Sequence, residues 1–300
     1  MRMELVNCPL CGSDRDRQLF IAGPRRMVRC EVCGVVYRNP RPLVSSYLEE
    51  FGSGRAEVDD EAWLGVRRRS TFVRFLDAWP DRPGRVLDVG CGGGWFLKVA
   101  TERGWSGVGV DLSPEAVRHA REVFGVDARR GTLDAQTFAP GSFDLVTLWN
   151  VLEVVPDPLA LLRAILPLVR AGGTLHLRTP NYPFQRAGFV ASRAARALGL
   201  RGFIDARPYF AFIVHVTAFS AGTIRLFLAR AGFTDVRVFP SRPTPGDPYR
   251  TLGRFGEWPL DLIKLVSHGI ARTAAAASGG QWIASASLEA SAHRPPSEAR

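Results

Sequence analysis

Seven residues, Asp88-Val89-Gly90-Cys91-Gly92-Gly93-Gly94, limit what this chain can become more than any other stretch. A short β-branched run, Arg85 to Val89, precedes the glycines, and Trp95-Phe96-Leu97-Lys98-Val99-Ala100 follows with helical spacing. A strand that turns on glycines directly into a helix is the first unit of a doubly wound α/β sheet. The glycines let the chain reverse sharply and let a ligand approach the backbone closely. A dinucleotide fingerprint has glycines at three places, and Trp95 stands where the third belongs, which disfavours an NAD-linked oxidoreductase.

The units that follow keep the same rhythm. Gly107-Val108-Gly109-Val110-Asp111 is a second strand ending in an acid, and an acid at that tip can accept hydrogen bonds from both hydroxyls of a ribose. Ser113 and Pro114 then start a helix as its cap and first residue. Val126–Arg130, Phe143–Asn150, Thr174–Asn181 and Asp235–Phe239 read as strands three to six, and 281–288 as a seventh. Helices are expected over 95–103, 161–169 and 223–230, and an amphipathic helix over 61–79 is expected to lie against the sheet.

The motif Asp88-x-Gly90-x-Gly92-x-Gly94, followed by Asp111, resembles the first motifs of class I S-adenosylmethionine-dependent methyltransferases. The resemblance covers about 85–240. It implies a Rossmann-like, seven-stranded sheet with helices on both faces and one antiparallel edge strand. It also implies that Asp88, Gly90, Gly92 and Gly94 lie by the amino-acid part of S-adenosylmethionine. Asp111 and Leu112 would then meet the ribose, Thr132 and Leu133 the adenine, and Trp149 and Asn150 the methyl end. Val154 stands where many members carry a histidine base, so Asn150 and Glu153 are the candidates facing the transferred methyl. No Asn-Pro-Pro-Tyr type sequence for base amino methylation follows strand four; Asn150-Val151-Leu152-Glu153 stands there.

A separate pattern opens the chain. Cys8-Pro9-Leu10-Cys11 and Cys30-Glu31-Val32-Cys33 are separated by eighteen residues, the spacing of a four-thiolate zinc ribbon. With Cys8, Cys11, Cys30 and Cys33 all occupied as ligands, no open position remains for a substrate, so one structural Zn2+ per chain is expected. A knuckle of about 30 residues builds too small a core to fold unaided, so metal binding is expected to supply most of its folding free energy. The expected organisation is a zinc ribbon over 1–42, a helical linker over 43–84 and a methyltransferase domain over 85–293.

The connection over 180–218 is expected to form a lid over the acceptor, with Tyr182 and His215 as candidate catalytic side chains beside Glu153. Its stretch 187–201 mixes arginines with apolar residues, so a peripheral membrane contact is the second expectation there. His176, inside strand five, reads as core. In a chain of 300 residues, 46% apolar and 23% charged residues exclude disorder throughout. No apolar run is long enough to span a bilayer, and no signal core opens the chain, so a cytoplasmic location is expected. The net charge of +10 rests on 39 basic residues, nearly all arginine, and permits a nucleic-acid partner without requiring one. The ribbon's arginines lack interleaved aromatic residues to stack bases, so nucleic acid is not favoured.

These features predict methyl transfer from S-adenosylmethionine to a small-molecule acceptor, such as a glycan precursor or a secondary metabolite. An RNA or DNA methyltransferase gripping phosphate through the ribbon and its arginines is the alternative, as is a non-catalytic cofactor-binding protein.

Overall fold

The structure, a computed structural model, describes residues 2–22, 25–52, 58–80, 82–198, 215–243, 254–277 and 285–296. The N-terminal part comprises β1 (Met3–Glu4), β2 (Asp16–Ala22), β3 (Arg25–Cys30), β4 (Val36–Arg38) and β5 (Arg41–Pro42). Helices α1 (Val44–Gly52) and α2 (Val58–Asp77) lead into the main sheet. There β6 (Arg85–Val89), α3 (Trp95–Thr101), β7 (Ser106–Asp111), α4 (Pro114–Phe124), β8 (Asp127–Arg130) and β9 (Phe143–Trp149) alternate strand and helix. The chain continues through α5 (Pro158–Ile165), β10 (Val169–Pro180), α6 (Tyr182–Ala197), β11 (Thr217–Ala218), α7 (Ala221–Ala231), β12 (Thr234–Pro240), α8 (Arg254–Ala277) and β13 (Ser287–His293).

The main sheet runs β12-β13-β10-β9-β6-β7-β8. Its strands are parallel except β13, which lies antiparallel between β10 and β12, so the antiparallel strand is not the expected edge strand; β12 is the edge. The strand order reverses between β6 and β9, and the crevice beyond the carboxyl ends of strands at such a switch point is where open α/β sheets bind ligands. Leu87, Val146, Leu148 and Leu177 are fully buried in the core on one side of the sheet; Val86, Leu145 and Phe96 fill the other. Parallel strands covered on both faces carry such continuous apolar runs. Local signals set the helix ends: Ser113 Oγ accepts from the Ala116 N–H at 3.2 Å, Asp157 Oδ1 from Ala160 at 2.9 Å, and Ser220 forms a capping box with Thr223.

Two elements differ from expectation. Strand five begins at Val169, because the Ala171-Gly172-Gly173 stretch forms a register shift inside the strand and does not precede it. The seventh strand is Ser287–His293, where Leu288, Ala290 and Ala292 turn inward and are buried. Small inward residues gave this strand little hydrophobic alternation to read. Residues 281–284 lie outside the described residues.

The ribbon sheet is not closed by the N-terminal residues alone. Its order is β11-β4-β3-β2, so the outer strand comes from Thr217–Ala218, at the far end of the 180–218 connection. Phe189 of α6 stacks on Phe20 of β2 with ring centroids 5.1 Å apart. The Arg41 guanidinium donates to the carbonyl of Pro156, beyond β9. Of the expected lid, residues 199–214 lie outside the described residues, as do the side chains of Arg193 and Arg196 in the 187–201 stretch; Val190 and Leu198 are exposed.

Candidate active site and metal centre

At the carboxyl ends of β6 to β9 lies a cavity of about 540 Å³. Gly90, Asp111, Leu112, Thr132, Leu133, Trp149, Asn150, Glu153 and His215 all line it, so most of the residues singled out in the sequence come together. Asp111 ends β7 with its carboxylate held by two backbone donors: Gly92 N–H to Oδ2 and Ser113 N–H to Oδ1, each 2.9 Å. Burial pushes its carboxyl pKa up, against the pull of these amides. Gly90 takes φ +72, and a Cβ there would stand 2.4 Å from Val151 Cγ2. The glycine loop is therefore packed against the turn after β9 at Gly90.

Asp88 and Gly92 line a smaller adjoining cavity of about 90 Å³, beside Arg68, Gly93 and Trp95. The Asp88 carboxyl is buried and accepts from Thr147 Oγ1 at 2.6 Å; burial pushes its pKa up to about 8. Gly94 lines neither cavity: at the start of α3 it lets that helix meet α4, where an added Cβ would be 2.7 Å from Ala120 Cβ. Tyr182 also lines neither. Its backbone N–H donates to the Phe219 carbonyl at 2.8 Å, and its ring packs against the Met27, Val36 and Ala218 cluster on the ribbon.

The acceptor end is built around the turn after β9. Asn150 has φ 62, its Nδ2 donates to Glu153 Oε1 at 3.0 Å, and Glu153 is buried. Burial raises the Glu153 pKa; its own backbone amide, Asn150, Thr179 and Arg68 oppose that rise. The Glu153 carbonyl accepts from Val216 at 2.7 Å and Thr217 at 3.1 Å, which fixes His215 at the cavity wall. Burial depresses His215 to about 4, so its imidazole is neutral near pH 7. His176 is fully buried between β9 and β13, as its place inside a strand predicts.

Sequence reasoning missed the roof. Val44, Tyr47 and Leu48 of α1 cover the cavity, and Arg68 of α2 lines both cavities. The i, i+3, i+4 spacing of Val44, Tyr47 and Leu48 was the available signal. Arg68 sits in a run of three arginines, which gives no sign in the sequence that it lines the cavities.

The four cysteine sulfurs of the ribbon lie within 4.8 Å of one another, with Cys8–Cys33 at 3.4 Å and Cys11–Cys30 at 3.6 Å. Tetrahedral zinc with Zn–S near 2.3 Å places its sulfurs about 3.8 Å apart, so the donor set fits that ion. Gly12 and Gly34, at φ +75 and +76, close the two knuckles. Burial raises Cys8 and Cys33, the latter to about 11, so a bound cation is what would hold these sulfurs as thiolates.

This combination of switch-point crevice, glycine turn and strand-tip acid defines an α/β protein built to hold a nucleoside-bearing cofactor. The family model for the methyltransferase domain matches residues 65–238, and the chain belongs to that family. Ubiquinone biosynthesis O-methyltransferase of Xanthomonas campestris pv. campestris is 46% identical over 103 residues, 32% of this chain and 43% of that protein. The Xanthomonas oryzae pv. oryzae counterpart is 43% identical over the same span. The chain thus matches less than half the length of these curated relatives. Among solved structures, a chain of the complex between the Haloferax volcanii Trm112 methyltransferase activator and its methyltransferase aligns with TM-score 0.54 and 18% identity, over 82% of this chain and 98% of that one. Haemonchus contortus phosphoethanolamine N-methyltransferase 2, in complex with S-adenosyl-L-methionine, aligns with TM-score 0.54 and 16% identity, over 87% and 63%. These two establish a shared fold. Among the described residues, no helix is long and apolar enough to cross a membrane.

Proposed function

We propose that the protein transfers the methyl group of S-adenosylmethionine to a small, largely apolar acceptor carrying a hydroxyl group. One observation carries this reading: a single cavity joins the Asp111 end, beside the glycine loop, to an end closed by Glu153 and His215. Asp111 would hold the ribose hydroxyls, and Thr132 and Leu133 the adenine. The glycine loop at Gly90 and Gly92 would face the amino-acid end, with the Arg68 cation beside it. When bound, the donor supplies an activated methyl group on a sulfonium centre.

The chain's own task is to align the acceptor and exclude water. Tyr47, Leu48, Val154, Val155 and Leu161 wall the cavity with apolar surface, which suits an aromatic or aliphatic acceptor better than a bare sugar. Glu153 is the group placed to take the acceptor's proton, since it lines the cavity and burial raises its pKa. His215, neutral and buried, orients the hydroxyl. An oxygen acceptor accords with the similarity to O-methyltransferases over 103 residues. The ribbon's zinc is structural in this reading.

Calorimetry with S-adenosylmethionine and its demethylated product, S-adenosylhomocysteine, tests the donor; binding of NADH in their place would reverse it. Methyl label followed into fractions of a host extract tests the acceptor. Label entering RNA or DNA, with tight salt-sensitive retention, would replace the small-molecule assignment.

A further inference from the structure

We propose that Arg178 is a positioning residue for methyl transfer: from β10 it grips Asn150 twice and so holds Glu153 against the cavity. This rests on the transfer reading above. The Asn150 N–H donates to the Arg178 carbonyl at 2.9 Å, and Arg178 Nη1 donates to Asn150 Oδ1 at 2.7 Å. Asn150 hands the constraint on, since its Nδ2 donates to Glu153 Oε1. One carboxylate oxygen is thereby committed to Asn150, in a residue that lines the cavity.

Asn150 adopts a left-handed backbone, which asparagine takes more readily than most side chains. Arg178 is the group that fixes the Asn150 side chain in that turn. It is anchored from behind: its Nε donates to Ser241 Oγ at 2.9 Å, and Ser241 Oγ donates to Glu289 Oε1 at 2.6 Å. Glu289 is directly opposite Arg178 in the β10–β13 register. The guanidinium thus ties the ends of β9, β10, β12 and β13 to one turn. Burying a guanidinium is a poor route to stability, because its desolvation offsets much of the attraction to Glu289. A planar fork held on one side and gripping an amide on the other is a good route to fixed geometry.

The groups around Glu153 are Arg68 from α2, Tyr47 from α1, Arg178 from β10 and His215 from the segment entering β11. Carbon-13 labelling of glutamate carboxyls, with Glu153 identified by its loss in Glu153→Gln, reads its titration in the intact protein. Arg178→Gln is expected to raise the Glu153 midpoint by about one pH unit, a tenfold change in ionisation at fixed pH, with S-adenosylhomocysteine affinity within about twofold of wild type. Arg178→Lys keeps the charge and loses the fork, and is expected to recover only about half of that shift. A folded Arg178→Gln with an unmoved midpoint overturns the inference, and so does full recovery in Arg178→Lys, which would leave a bare charge effect. If Arg178→Gln does not fold, Ser241→Ala decides, because it cuts only the anchor: a shifted midpoint is expected, and an unchanged one overturns the inference. Failure of wild type to bind S-adenosylhomocysteine would instead defeat the transfer reading, a result separable from any of these.

Discussion

Gly92 donates its backbone N–H to Asp111 Oδ2 at 2.9 Å, so the glycine loop and the acid at the tip of β7 form one hydrogen-bonded unit. Asp111→Ala therefore removes more than a ribose contact; it also frees the Gly92 and Ser113 amides. Hydrogen bonds to a charged group are each worth about 1.5–3 kcal/mol, so S-adenosylhomocysteine affinity should fall by about tenfold to a hundredfold. Calorimetry measures this directly, and wild-type affinity in the variant would remove Asp111 from the site.

Gly90→Ala places a methyl group against Val151 Cγ2 on a backbone at φ +72. The two effects separate by mutation. The single variant should lose about 2–4 kcal/mol of stability in denaturant titration, combining left-handed strain with overpacking. Adding Val151→Ala relieves the overlap but leaves the strain, so about half of the loss should return. Complete recovery would show that φ has no part in the cost.

Asp88 has its carboxyl raised by burial from 3.8 to about 8. Between these values the folded chain holds a proton that the unfolded chain has released. Stability from this group is therefore full below pH 4 and declines as pH rises towards 8. Asp88→Asn, which keeps a neutral side chain beside Thr147, should flatten that decline in the ligand-free protein. Parallel stability curves for variant and wild type from pH 5 to 8 would contradict the assigned protonation.

The ribbon's zinc should be found at one per chain by elemental analysis of protein purified under reducing conditions; none found would refute the site. Removing it with a chelator, or by Cys30→Ala, should raise hydrogen exchange at Val216 and Thr217. These amides bond the Glu153 carbonyl, and β11, which starts at Thr217, is paired to the ribbon's β4. Protection there that does not change on metal loss would show that the ribbon and the cavity wall are mechanically separate.

The glycine loop, the β7 acid and the cysteine pairs were legible because each is a short contiguous pattern whose chemistry needs those residue types. The α/β class followed from the alternation of strand and helix, but the place of the antiparallel β13 between β10 and β12 did not. Arg178 was not legible, since its role arises from β10 lying between β9 and β13, and from Ser241 and Glu289 arriving late in the chain. Tyr182 misled for a related reason. Its position at the start of the 180–218 connection suggested the cavity mouth, but the ribbon lies where that ring points. No local pattern announces that β11 will pair with β4.

That pairing orders events at synthesis. The knuckle cysteines are made before Thr217 and Ala218, so the open edge of β4 waits until those two residues emerge. An unpaired strand edge invites aggregation, and here it stays uncovered while most of the main sheet is still being made. Nascent chains stalled between residues 40 and 216 are thus the vulnerable species, and the last-arriving strand is what covers the β4 edge of a three-stranded sheet.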